Sequence, residues 1–489
     1  MSKELFIGWS EADITPVTGK YIALSGQYYE RLTKEIHSNL KTVAVAFSSG
    51  DQQFIEIGMD NVAIPQEYFE YVCELMVKEE PAINPDNVFI NVIHTHSGPS
   101  TRAAVRYQKN AIYQPTVDEN ILTADEYVMF SAPIVAGNAV KAWRNRKKGG
   151  ISRAFGRASI GHCRRPVFST GKAEMYGDTT RRDFIGLEAG EDSGIEMLFT
   201  HDEKGRRTGM LLNVACPSQV MESTYKVSSD FAGATRELLK KEYGEDFCTI
   251  YQISPAGCQS PRDLVRHYTT EPDFWHADGV VEHSNRLLKA VKDAVVFGDI
   301  DYAPVFKSVN VPVSLPRRRA SYQDYVAAVA EVAGLEAIMP EKEAFEAFCA
   351  ETHANEKIDG PGPYDSKLHH FVQIKNAQAV IARYEEQDKE PELKFNMNVV
   401  RIGDIAIANN PFELYLYFGQ IIKARTRCQQ TFLVQLACGA SHPAGYLPSP
   451  EAEKFGGYGG LIINGQVGSD GGYKLADVTV EEINKLFED

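Results

Sequence analysis

The 489-residue chain has no run of apolar residues approaching the roughly 18 that a membrane-spanning helix requires. Its opening, MSKELFIGWSEADITP, has no apolar segment of the kind that starts a secretory signal, so the expectation is a cytoplasmic protein with no stable membrane association. Positive charge is short as well, with 51 Lys and Arg against 66 Asp and Glu and a net charge of −15. Nucleic acid and anionic membrane surfaces are both recognised through basic patches, and neither suits this balance. The short basic runs RNRKK (144–148) and RRR (317–319) read as solvated faces or helix ends. No CxxC pair occurs among the eight cysteines, which excludes a disulfide scaffold and fits free thiols in a reducing compartment. Internal repeats, low-complexity tracts and Pro/Ser linkers are also lacking. Length alone would suggest about three domains, but without linkers the expectation is one large domain over 1–489.

What is present is an ordinary globular composition, 43% hydrophobic and 24% charged, sufficient for a large core. TVAVAF (42–47), the turn SSGD and QFIEIGMD (53–60) predict a hairpin. PQEYFEYVCELMVKE (65–79) has helical spacing, and the strand VFINVI (88–93) then runs directly into His94. Further along, a helix over 231–244 that stops at Gly244 precedes the strand FCTIYQI (247–253) and the loop SPAGCQSP. NVVRIGDIAIANN (398–410) predicts strand, turn and strand, with Pro411 suited to the first turn of a following helix. TFLVQLA (431–437) opens into CGASHPAGYLPSPEAEKFGGYGG. Loops beyond strand ends are where an α/β sheet gathers reactive side chains, so these four loops are expected to meet. The stretch from about 320 to 395 reads as a helical elaboration, broken at DGPGPYD (359–365).

The histidines of INVIHTHSGPS (90–100) stand two apart. On a continuing strand they would face opposite sides, but the SGP that follows supplies a turn, after which two imidazoles can reach one site. Taken alone, the pair is as well explained by structural hydrogen bonding as by a metal or catalytic role. Each remaining candidate also has a plain reading by itself: Glu413 as a helix N-terminal carboxylate, Tyr446 as a loop aromatic, Ser260 as a turn residue before proline, and Arg164 as a surface cation.

Read together, these segments resemble the neutral/alkaline non-lysosomal ceramidases and their bacterial relatives. IGWSEADITPVTG resembles the start of that family and IHTHSGPS its first metal motif. AGCQSPRD (256–263) resembles its serine loop. IGDIAIANNPFE (402–413) and GYLPSPEAEKFGGYGG (445–460) are similar to its last metal and substrate segments. The order agrees over nearly the whole chain. The resemblance implies an α/β fold, a large mixed β-sheet core flanked by helices like the neutral ceramidase catalytic domain. It implies one divalent metal ion, zinc, with His94, Glu413 and Tyr446 as ligands. It also implies catalytic roles for Ser260, His96, Tyr458 and Arg164. A divalent ion would polarise a scissile carbonyl and make hydroxide available near neutral pH. Ser260 would be nucleophile or oxyanion donor, and His96 would carry the proton to the leaving amine.

The sequence departs from the family at its second histidine ligand, where LNVACPSQVMESTYKVSSDFAG (212–233) places Pro217. Proline cannot bind a metal. A substitute ligand such as His442 or Gln219, or the Cys216 thiolate, a harder ion with oxygen ligands, or loss of the metal are the alternatives. Asp60 and Asp230 are further candidate ligand or supporting carboxylates. Cys258 stands in the serine loop where relatives carry an acid, and the chain ends about where a C-terminal immunoglobulin-like domain would begin. The glycine-rich end (455–473) lacks the GK[ST] of a phosphate loop, so it is expected to pass close to substrate or fold tightly around Tyr458.

The resulting expectation is a metal-dependent hydrolase cleaving an amide (N-acyl) or related bond in a small soluble substrate other than ceramide, with Arg164 or Arg165 holding an anionic or hydroxyl-rich group. The alternatives are a carbohydrate-active enzyme (glycoside hydrolase, lyase or isomerase) on the same fold and a non-catalytic binding protein. A homo-oligomer is left open.

Overall fold

The computed structural model describes residues 4–27, 31–101, 119–266, 274–354, 370–437 and 444–488. Alternating apolar positions build the first hairpin, Lys41–Ser49 against Gln52–Met59, and Gly50 takes the left-handed turn position at φ 63°. This hairpin lies within a nine-stranded sheet ordered Cys248–Ile253, Arg207–Val214, Gly194–Asp202, Lys147–Arg157, Leu5–Asp13, Lys41–Ser49, Gln52–Met59 and Val88–Val92, with Val295–Asp301 also paired to Lys147–Arg157. The sheet is mixed, with its parallel pairs at the two edges. There the crossover helices Gln66–Glu79 and Asp230–Tyr243 each return the chain to a neighbouring strand.

A four-stranded sheet, Phe306–Pro316, Glu392–Ile402, Ile405–Asn409 and Gln430–Val434, packs on the large one. Phe47, Phe54, Phe89 and Leu211 from the large sheet meet Val400, Ile402, Ile407 and Phe432 from the small one. Within that core, the Phe47, Phe54 and Phe89 rings lie 6.3 and 5.4 Å apart in sequence, contacts of about 0.5–1.5 kcal/mol each beyond area burial. Because strand side chains alternate, the other faces are apolar too and need cover. Helices Gln66–Glu79 and Ala124–Arg144 cover one half of the large sheet, and Asp230–Tyr243 and His276–Lys292 the other. Leu416–Arg425 and Ser469–Leu486 cover the small sheet. The molecule is therefore an α/β fold with a large mixed sheet flanked by helices.

One local expectation differs from the structure and a second is met only in part. The helix expected from Pro411 starts at Leu416, because Glu413–Leu414 is captured in parallel pairing with Tyr446–Leu447. Only the last residues of the glycine-rich end enter a helix, from Ser469, with Gly472 lying where a Cβ would come within 2.2 Å of the Phe418 ring, while Gly456, Gly457 and Gly459 take the left-handed region around Tyr458 at φ 65°, 75° and 87°. The helical stretch contains Tyr322–Ile338, Glu341–Ala354 and His370–Glu386, and strand structure resumes at Glu392. The break expected at 359–365 lies outside the described residues.

The two edges of the large sheet approach each other and are tied by side chains. Asn91 donates through Nδ2 to the Tyr251 carbonyl at 2.9 Å, and Gln252 Nε2 donates to both Glu56 carboxyl oxygens at 2.8 and 2.9 Å. Burial pushes the Glu56 carboxyl up to about 8 from 4.5, with the Gln252 donation opposing only part of the rise. Between those values the unfolded chain is ionised at this position while the folded chain holds the proton. Stability therefore falls as pH rises through that window and is flat above it. The neutral Glu56→Gln variant is expected to melt a few degrees above wild type at pH 8, with the gain vanishing near pH 4.5, in thermal unfolding monitored by circular dichroism.

Candidate functional site

Strand Val88–Val92 ends before the histidines, and His94 adopts the left-handed region at φ 62°. This bend prevents strand alternation from separating the imidazoles, whose rings meet edge-on with centroids 4.8 Å apart. His94 Nδ1 lies 2.7 Å from the Val62 carbonyl, so that nitrogen carries the hydrogen and Nε2 the lone pair. His96 is seated by two residues that no motif marked. Gly26, at φ 99°, lies where a Cβ would come 2.4 Å from the His96 ring, and a side chain there would displace the imidazole. The fully buried Arg31 donates to the carbonyls of His96, Ser25 and Thr224. Burial holds both imidazoles below their ordinary range. The Glu413 charge partly offsets this at His94, whereas at His96 the neighbouring His94, Arg31 and Arg164 add to it. Both rings are neutral at neutral pH.

Glu413 and Tyr446 are register partners in the short parallel pair, which places carboxylate and phenol side by side. Glu413 Oε2 lies 3.7 Å from His94 Nε2, with the Tyr446 phenol beside the same carboxylate. Arg164 Nη2 donates to the Tyr446 hydroxyl at 3.0 Å and to the Gly257 carbonyl at 3.1 Å, and lies 3.9 Å from Glu413 Oε2. Burial opposes the Arg164 charge, but Tyr446, Tyr176 and Glu413 outweigh it and hold the guanidinium protonated. Burial, reinforced by Glu413, likewise keeps the Tyr446 phenol protonated well above its usual range. Tyr458 stands edge-on to Tyr446 at 5.5 Å between ring centroids. The structure thus brings His94, His96, Arg164, Glu413, Tyr446 and Tyr458 together.

Ser260 joins the same cluster through a residue that sequence reasoning missed. The Tyr176 hydroxyl lies beside Ser260 and Arg164, both of which lower its phenol against the rise from burial, and it accepts from Gln219 Nε2 at 3.2 Å. Its backbone is also tied to Arg164 through Tyr176 N to the Arg164 carbonyl at 2.8 Å. Tyr176 has φ 54°, unusual for a side chain of this size, and KAEMYGD carries no motif that announces it. The segment around Pro217 contributes Gln219 and Glu222. Glu222, only 2% exposed, lies 3.5 Å from His96 Nδ1, and its charge adds to burial in pushing the Tyr176 phenol up to about 12.

Other candidates are engaged elsewhere. Arg165, expected as an alternative substrate-holding cation, is consumed by the buried Glu188 and by the carbonyls of Gly456 and Tyr458, so it anchors the Tyr458 loop. Asp60 pairs with Arg236 at 2.7 Å, a structural ion pair. Asp230 accepts from the Met221 and Phe231 backbones and from Ser218 Oγ, and so shapes the segment carrying Gln219. The Cys216 thiol faces the carbonyls of Ile160 and Pro217, and burial pushes it well above its usual range, as it also raises Cys258. His442 lies outside the described residues.

Among the described residues no group of three or more His, Cys, Asp or Glu is arranged to hold a metal. The cluster at Glu413 nevertheless has a donor set that suits a cation, with a phenol as its third member. A neutral imidazole lone pair and a carboxylate oxygen, both acceptors, face each other at 3.7 Å. Two ligands about 2 Å from a tetrahedral ion are roughly 3.3 Å apart, so this contact fits two members of one coordination shell. Gln219 Oε1 and both His96 ring nitrogens are buried without hydrogen-bond partners among the described residues. The residues therefore fit a divalent ion, with His94, Glu413 and Tyr446 as its holders.

No protein-family model and no curated protein matches the sequence. Solved structures do match. The neutral ceramidase from Pseudomonas aeruginosa superposes with a TM-score of 0.66 at 15% identity, over 100% of this chain and 75% of that one. A ceramidase complexed with C2 gives 0.65 at 15%, over 99% of this chain and 76% of that one. From the first strand to the last helix, this chain has the neutral ceramidase fold.

Proposed function

We propose that the chain is a hydrolase of an amide (N-acyl) or related bond in a small soluble substrate, working with one divalent metal ion, zinc by the nature of its donors. The observation that carries this reading is the contact between the His94 lone pair and the Glu413 carboxylate beside the protonated Tyr446 and Arg164. Two acceptors are held together only where positive charge compensates them. The ion, held by His94, Glu413 and Tyr446, would supply Lewis-acid polarisation of the scissile carbonyl.

The chain's own groups then divide the remaining work. Val62 fixes the His94 tautomer. Arg164 stays charged throughout, and its guanidinium orients an oxygen-rich substrate group without exchanging a proton. His96 is neutral, and the buried Glu222 beside it stabilises the imidazolium form when the ring takes up a proton for the leaving amine. Tyr458 borders the site, and Arg165 holds its loop in place. The many hydroxyl, amide and charged groups favour a compact polar N-acyl compound over ceramide.

Metal analysis of the purified protein is expected to find one ion per chain, with chelator abolishing hydrolysis. His94→Ala is expected to lose the ion and at least about 10³-fold in kcat/KM, the scale on which an essential electrostatic group acts. Absence of ion from wild type together with indifference to chelator would overturn the metal assignment. In a panel of N-acyl amines and of acylated and unacylated sugars, with products identified by mass spectrometry, hydrolysis is expected only at acyl bonds. Turnover confined to unacylated sugars would replace the hydrolase with a carbohydrate-active enzyme.

A further inference from the structure

Three buried cations of the site are committed to protein partners. Arg164 faces Tyr446 and Glu413, Arg165 pairs with Glu188, and Arg31 donates to loop carbonyls. Arg262, two residues beyond Ser260, is different. Its backbone N–H donates to Ser260 Oγ at 3.1 Å, but among the described residues its guanidinium has no carboxylate, carbonyl or hydroxyl partner. The chain carries 66 Asp and Glu against 51 Lys and Arg, so a shortage of acids does not explain this. The acids close by are turned elsewhere: Asp263 pairs with Arg266 at 2.8 Å, and Glu222 lies 3.5 Å from His96 Nδ1.

The guanidinium rests instead over two aromatic rings, 5.4 Å from the centre of Trp275 and 5.9 Å from that of Tyr176. Such rings attract the cation and fix its plane, yet leave its fork of N–H donors able to grip a carboxylate. Trp275 is held by the residue that follows it. His276 takes the left-handed region at φ 53°, its N–H donates to the Val220 carbonyl at 3.1 Å, and its Nε2 shares a hydrogen bond with Ser223 Oγ at 3.1 Å. Ser223 adjoins Glu222, so the wall bearing Trp275 is anchored to the segment beside His96. Tyr176 makes the second link, because its hydroxyl lies beside Ser260 and Arg164 while Arg262 stands over its ring. Arg262 is therefore one phenol ring away from the Glu413 cluster and adjoins the segment that borders the ring serving the leaving amine.

We propose that Arg262 binds a carboxylate carried on the amine half of the substrate, which makes the substrate class the N-acyl amino acids. This rests on the hydrolase reading and deepens it by naming what the amine bears. A carboxylate at Arg262 receives two parallel N–H bonds, whereas an uncharged analogue of the same shape leaves the cation unpaired. Lysine at this position keeps the charge but loses the fork.

The test compares N-acetyl and N-butyryl amino acids with their carboxamides, which differ only in charge, and with N-alkyl succinamates, which carry the carboxylate on the acyl half. Full-length wild type is expected to favour the acids over the carboxamides by about 10–100-fold in kcat/KM, the scale of one charge-assisted, bidentate pair. Arg262→Gln is expected to lose that preference, chiefly through KM on the acids, with little change on the carboxamides, and Arg262→Lys to fall between. Carboxamides hydrolysed by wild type as well as the acids would overturn the proposal. So would a Gln variant that weakens equally on both series, as a merely structural residue would, or a wild-type preference for the succinamates. The acid and carboxamide comparison needs only wild type and decides the matter even if the Gln variant does not fold. Hydrolysis without preference leaves the hydrolase reading intact and removes only the role of Arg262, whereas wild type that hydrolyses no N-acyl compound overturns the hydrolase reading itself.

Discussion

The site depends on how the two parallel edges of the large sheet are joined. An open sheet would leave Val88–Val92 and Cys248–Ile253 at opposite ends of its strand order. Here Asn91 reaches the Tyr251 backbone and Gln252 spans to Glu56, so the edges lie side by side. The chain leaving each edge is then shared out among neighbours, with Ser218 N bonded to the Ile93 carbonyl and Gln435 N to the Ile253 carbonyl, both at 3.0 Å. Strand ends that are remote in sequence thereby become one surface. The cost is a carboxyl group kept protonated in the core, accepted because its oxygens are hydrogen-bonded.

On that surface the controlling physics is the management of buried charge. Arg164 is nearly inaccessible and must be compensated, and Glu413, Tyr446 and Tyr176 do so. Their arrangement fixes protonation states in turn: neutral imidazoles, protonated phenols, a permanent guanidinium. Such preorganisation means that the groups need not rearrange when charge develops on a substrate. Arg31 and Arg165 solve a different problem. Each is buried and donates to loop carbonyls, Arg165 pairing with Glu188 as well, so the loops bearing His96 and Tyr458 are held by buried cations.

Much of this was legible in the chain because the motifs are local. A β-branched run followed by HTHSGP announces a strand end and a turn, and the pairing of the first hairpin follows from period-two alternation. Tyr176, Glu222, Gly26 and Arg31 were not legible. Each belongs to a stretch with no distinguishing pattern, and each matters only through groups far away in sequence. Glu413 shows the same limit. Its sequence context favours a helix start, but pairing with Tyr446 overrides that local preference and moves the carboxylate beside the phenol.

The amino-acid sequence alone determined the alternation of helix and strand, the acidic and cysteine-poor surface chemistry, and which imidazole, carboxylate, phenol and serine were available for a site. Those follow from side-chain type and from periodicities spanning a few residues. Tertiary structure alone decided which of them touch, and which buried cations face the Glu413 cluster and which bind loop carbonyls. Those outcomes depend on burial and on competition for lone pairs among residues up to hundreds of positions apart, and no local pattern encodes them.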